Sequence, residues 1–126
     1  MTEAVGYHAH VYFDPATRPT AERLRAALIS QFTVKPGGFS DEPRGPHPIS
    51  QFNVMFQNDE FQRIVPWLML NREGLNVLVH PLTDDMVDDH TDYALWLGTP
   101  VKLKVDTLQR RGYSEALLPT EAAHPA

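Results

Sequence analysis

The chain has 126 residues, 42% of them hydrophobic, which is apolar side chain enough for one core and too little for two. Eleven Lys and Arg against sixteen Asp and Glu leave a formal charge of -5, which argues against a phosphate backbone as partner, because nucleic-acid binders need a basic face that releases counterions. Cysteine is absent, so a disulfide framework, thiolate zinc sites and cysteine nucleophiles are excluded, and histidine and carboxylate must carry any metal.

In chain order, Val5 to Phe13 alternates as a strand, with Tyr7, Ala9 and Val11 on one face and His8, His10 and Tyr12 on the other. Asp14-Pro15 breaks it, and Pro19 opens a helix carrying Ala21, Leu24, Leu28 and Phe32 at helical spacing. A short strand is expected over Phe32 to Lys35, ended by Pro36-Gly37-Gly38. A long loop over 36–48 then carries His47 between two prolines, which restrict its backbone. Ile49 to Gln57 alternates again, setting Phe52, Val54 and Phe56 against Gln51, Asn53 and Met55.

Asn58 or Asp59 can cap a second helix with the stripe Phe61, Ile64, Val65 and Leu68, in which Pro66 is expected to kink or restart the helix. Gly74 closes that helix and leads into the strand of Leu75, Val77 and Val79, whose other face ends in His80 before Pro81. Asp84, Asp85, Asp88, Asp89 and His90 follow, an acidic run that suits either metal ligation or the cap of a short helix. Tyr93 to Gly98 is expected to be a helical turn, and Val101 to Val105 a last edge strand. Trp67 and Trp96 fit core or interface positions better than a substrate platform. His124 falls in a small, polar tail and is expected to be exposed and without a role.

Strand, helix, strand, strand, helix, strand is the order of a ferredoxin-like split βαβ sandwich, an α+β fold with two helices on one face of an antiparallel sheet. A single domain is expected over 1–126, with its core at about 5–108. That arrangement makes the first strand central, flanked antiparallel by the fourth and, on this reading, parallel by the third. His8, His10, His47 and His80 then meet at one edge, on the face away from the helices, as a metal site of the nitrogen and oxygen type. The sequence opens without a signal-peptide pattern and holds no run near the ~18 apolar residues that span a bilayer, so the expected partners include no membrane and the expected location is cytoplasmic.

The segments His8-Ala9-His10-Val11-Tyr12-Phe13, Gly45-Pro46-His47-Pro48, Trp67-Leu68-Met69-Leu70-Asn71-Arg72, Leu78-Val79-His80-Pro81 and Asp89-His90-Thr91, with Trp96-Leu97-Gly98 following, resemble the DOPA 4,5-dioxygenase family. The combination is specific to that family, and no single piece is. The resemblance implies extradiol cleavage of a catechol such as L-DOPA by non-haem Fe(II) and dioxygen, in a domain that associates as a homodimer. Zinc or another divalent ion could stand in for iron in a purified sample. On that reading His8, His10 and His80 are expected to hold the metal, His47 and His90 to take acid/base or substrate-orienting roles, and Asn53 and Arg72 to bind substrate, Arg72 through a substrate carboxylate. The alternatives are a non-catalytic metal or small-molecule binding dimer, a structural dimer with histidines at its interface, and a metal-independent isomerase or decarboxylase using one histidine as base.

Overall fold

The computed structural model describes residues 2–108. Five strands form one sheet in the order β2-β3-β1-β4-β5. They are β1 (Tyr7–Tyr12), β2 (Lys35–Ser40), β3 (Gln51–Phe56), β4 (Val77–Pro81) and β5 (Leu95–Leu97). Helices α1 (Arg18–Gln31), α2 (Asn58–Asn71) and α3 (Met86–His90) complete the set, with a short 3-10 turn at Val105–Thr107. This is the expected α+β class. The expected tail and His124 lie outside the described residues.

Alternation in β1, β3 and β4 divides the sheet into two buried faces. Ala9, Val11, Phe52, Val54, Phe56, Val77 and Val79 point toward α1 and α2, which contribute Ala21, Leu24, Leu28, Ile64, Val65 and Leu68 to the same apolar core. Trp67 packs at the edge of that core, its ring across Phe32 at 5.8 Å. Asp14 and Thr17 exchange hydrogen bonds ahead of α1: the Thr17 N–H donates to Asp14 Oδ1 at 2.8 Å, and the Asp14 N–H to Thr17 Oγ1 at 2.9 Å. Pro66 neither breaks nor restarts α2, which runs unbroken through it. Its ring faces solvent, so the cost, a lost N–H donor and crowding of the preceding turn, falls on the helix's own backbone and no core residue is displaced.

Four expectations are corrected. β3 runs antiparallel to β1, not parallel, pairing His8 with Met55 and His10 with Asn53. The reason is the β2–β3 hairpin: the crossover through α1 returns β2 in the direction of β1, and a hairpin must then reverse β3.

The strand expected at 32–35 lies instead at Lys35–Ser40, inside the segment expected to be loop. β2 is an edge strand with a register shift between Pro36 and Phe39, the setting in which proline and glycine are tolerated. Glycine at position 37 lets the Asn53 amide lie against the strand: a Cβ there would fall 1.9 Å from Asn53 Oδ1 and the amide would have to move.

Tyr93 to Gly98 contains β5 rather than a helical turn, and no strand forms over Val101 to Val105. Gly98, at φ 86°, passes so close to Asn76 that a Cβ would meet its Oδ1 at 2.5 Å, and that oxygen accepts the Thr99 N–H at 2.8 Å. The chain then turns back across the 41–50 loop, where the Lys104 N–H donates to Pro46 O at 2.8 Å.

Candidate metal centre

Register sets three imidazoles directly. His8 on β1 faces His80 on β4, and His10 lies two residues along on the same face. His47 arrives from the loop before β3. The Arg44 N–H donates to His47 O at 3.0 Å and the His47 N–H to Arg44 O at 2.9 Å, a small bridge that folds the loop over the sheet. His90 closes α3, a helix placed by Asp89, whose carboxylate accepts the Thr83 N–H at 3.0 Å and the Thr83 hydroxyl at 2.5 Å. All five rings are buried within this one chain, none more than 6% exposed, and a cavity of about 210 Å³ is lined by all of them. Over the cluster this face of the sheet is overlaid by the chain's own 41–50 loop, α3 and Leu108.

The orientations follow from the outer ring nitrogens. His80 Nδ1–H donates to Pro81 O at 2.8 Å, and His90 Nδ1–H to Met86 O at 2.7 Å, since a carbonyl can only accept. His10 Nδ1 is 2.8 Å from Gln51 Oε1 and donates likewise. Each of these three rings, when neutral, therefore keeps an Nε2 lone pair. His10 Nε2 and His80 Nε2 stand 3.1 Å apart, two lone pairs aimed at each other.

With Gln51 Oε1 as the acceptor of His10 Nδ1–H, a proton could bridge them only if one ring became imidazolium, and burial opposes that. His10 and His80 are held well below their ordinary pKa, first by burial and then by neighbouring imidazoles. Burial and the nearby His90 bring His8 down to about 3 and His47 to about 4, and burial also lowers His90. A divalent cation held by the two Nε2 atoms would resolve the clash. At metal–nitrogen bonds of about 2.0–2.1 Å, two ligands at a right angle stand about 3 Å apart.

Two sets of three bring ligand atoms within 4.8 Å of one another: His8, His10 and His80, and His10, His47 and His90, sharing His10. Both are all-imidazole. The acids expected beside them serve the scaffold instead: Asp85 Oδ1 accepts the Asp88 N–H at the start of α3, and Asp89, its carboxyl pushed up by burial, holds Thr83. Tyr12, absent from the sequence-derived site, lies 2.7 Å through its hydroxyl from His47 Nδ1 and stacks on Trp96 at 5.8 Å. Burial raises the phenol pKa, so it remains protonated. Alternation placed Tyr12 on this face, but only the loop bridge could reveal its partner.

Asn53 lines the cavity, beside His10 in the cross-strand pairing. Arg72 does not reach it. It ends α2 on the other side of the sheet and accepts the Leu75 N–H at 3.0 Å, at the end of β4 opposite to His80.

The sequence profile of the Dopa 4,5-dioxygenase family matches residues 7–107. The chain belongs to this family. The DOPA 4,5-dioxygenase of Amanita muscaria is 29% identical over 116 residues, which cover 85% of this chain and 51% of the fungal one. An uncharacterised 21.2 kDa protein of Botryotinia fuckeliana is 40% identical over 80 residues, 57% of this chain and 44% of its own length. The chain thus spans about half the length of the curated relatives it matches. Among solved structures, a candidate dioxygenase from Nostoc punctiforme shares 50% identity and superposes with a TM-score of 0.81, over 82% of this chain and 90% of that one. Dopa 4,5-dioxygenase family membership thus covers the sheet and every residue of the imidazole cluster. No helix among the described residues is long and apolar enough to cross a membrane.

Proposed function

We propose that the protein is an extradiol dioxygenase that opens a catechol ring with one dioxygen, using Fe(II) held by His8, His10 and His80. The observation that carries this reading is the approach of His10 Nε2 to His80 Nε2 at 3.1 Å inside a cluster of buried neutral imidazoles. Fe(II) at such a site supplies open positions for the catechol oxygens and for dioxygen. In the overall reaction, the ring C–C bond next to the diol breaks, both oxygen atoms of O2 enter the product, and no external reductant is consumed.

The remaining work falls to protein groups. His90, its Nδ1–H fixed on Met86 O, offers an Nε2 lone pair toward the cavity as acceptor for a catechol proton. His47, held by Tyr12, is the second proton carrier, and Asn53 orients the ring from the cavity wall. Association as a homodimer belongs to the same reading and is checked by light scattering.

Reconstitution with Fe(II) without air, then addition of methylcatechol and L-DOPA in air, tests the proposal. Iron-dependent oxygen uptake with a yellow ring-opened product, lost in His80→Ala, is expected. Tight metal binding without uptake on any catechol would leave a non-catalytic binding module in its place.

A further inference from the structure

The imidazole cavity continues into a second one of about 310 Å³, which extends over β3 to the edge strand β2. His8, Arg44, Gln51 and Asn53 line both. Register explains the continuity. Lys35 pairs with Met55, Met55 with His8, and His8 with His80, so one cross-strand row on one face runs from the edge of the sheet to the metal cluster. Two strand spacings, roughly 10 Å, separate Lys35 from His8, the reach of an aromatic ring bearing a short side chain. Gly37 lets the Asn53 amide lie against the floor of the groove: a Cβ there would push that amide aside.

The charge of this groove opposes that of the chain. Its described lining contains two cations, Lys35 and Arg44, and no acid, in a protein of net charge -5. Asp41, in the same loop as Arg44, is turned to Arg18, whose Nε donates to Asp41 Oδ1 at 2.7 Å and whose Nη2 donates to Oδ2 at 3.1 Å. The Arg44 backbone is pinned by its exchange of hydrogen bonds with His47, which places the root of the guanidinium where the two cavities join. Pro36 and Met55 give the groove an apolar wall.

We infer that this groove is a side-chain subsite, selecting catechols whose short side chain ends in a carboxylate and carries no ammonium group, with Arg44 as the binding residue and Lys35 as a second positive charge. The inference rests on the ring-cleavage reading and adds the substrate class to it. A guanidinium takes a carboxylate through two parallel hydrogen bonds, whereas an ammonium here would face like charge, with no carboxylate among the described residues of the groove lining to receive it.

Binding to the zinc-loaded full chain, which is redox-inert, tests this apart from catalysis. Calorimetry with dihydrocaffeate, its methyl ester and dopamine should rank the free acid roughly tenfold to a hundredfold tighter than the ester, the range of a charge-assisted hydrogen-bonded contact, with dopamine weakest. Within each variant, the acid-to-ester ratio is the readout. It should fall to near one in Arg44→Gln and recover in part in Arg44→Lys, which keeps the charge and loses the fork, and it should shrink for Lys35→Gln and with added salt.

A wild-type ratio near one, an unchanged ratio in Arg44→Gln, or dopamine binding as tightly as the acid overturns the inference. Should Arg44→Gln fail to fold, the wild-type ratio and its salt dependence decide alone. Methylcatechol, which has no charged arm, separates the two failures. Oxygen uptake on methylcatechol with no acid preference sinks the subsite alone. A clear acid preference without oxygen uptake on any catechol sinks ring cleavage alone.

Discussion

The two faces of the sheet are equally buried and made by the same strands, yet they do opposite work. Toward the helices, β1 turns Ala9 and Val11 into the apolar core; away from them it turns His8, His10 and Tyr12 into a cluster of imidazoles and a phenol. On the first face, removal from water is the driving force of folding. On the second, removal from water suppresses protonation and leaves lone pairs aimed at a common point, an arrangement that stabilises nothing until a cation arrives. Low exposure alone therefore says little about stability; what the buried atoms can pair with decides.

Substitutions on the two faces should separate folding from metal binding. His80→Ala is expected to abolish tight divalent-metal binding, measured as metal per chain after dialysis, while lowering the denaturant midpoint of chelator-treated protein less than a core truncation does. His8→Ala and His47→Ala compared in the same assay choose between the two imidazole sets: loss in His8→Ala with retention in His47→Ala supports His8, His10 and His80, and the reverse pattern moves the ion to His10, His47 and His90.

Phe52→Ala, on the helix face, should cost about 3–5 kcal/mol in denaturant unfolding and keep the metal stoichiometry of the folded protein. If it lost metal as fully as His80→Ala, the two faces would not be separable. Gln51→Leu leaves both faces packed but strips His10 Nδ1 of its acceptor, and metal affinity should weaken by roughly tenfold to a hundredfold in a chelator competition.

The gentlest contrast is in pH. In the folded, metal-free protein His8 and His47 take protons only near 3 and 4, against 6.5 when unfolded, so below about 6.5 the unfolded chain holds more protons and is favoured. Unfolding free energy of chelator-treated protein should thus be full above that pH and fall as acid is added. His8→Phe should flatten the decline, and Phe52→Ala should leave its slope unchanged.

The sequence disclosed the faces better than the edges. β1, β3 and β4 alternate over enough residues for apolar and polar positions to separate, and that alternation carried His8, His10 and His80 to one side. β2 was hidden because Pro36-Gly37-Gly38 breaks regular structure in most settings, and only an edge with a register shift and an approaching Asn53 amide makes those residues suitable. β5 has three residues, too few for any period. β3 runs opposite to the direction its pattern suggests, yet His47 still joins the cluster, because the Arg44 bridge folds its loop back over β1. Arg72 was singled out from a motif next to a helix end, and linear proximity to conspicuous residues does not say which side of a sheet a helix covers. Arg44 drew no notice, since a lone cation between two prolines has no pattern until the cavity is seen.

His10 and His80 meet across 70 residues of sequence. Their two nitrogens come together only after the crossover through α1, the β2–β3 hairpin, α2 and the return of β4 are all in place, and closures of that length come late in folding. A divalent ion cannot then act as a seed. Bound at these histidines, it would act as a latch on a finished sheet, so zinc should leave the refolding rate of the chain nearly unchanged and slow its unfolding instead. Newly made protein would reach its shape before it competes for metal, and the half-life of the folded state, more than the speed of reaching it, would register whether an ion had been found.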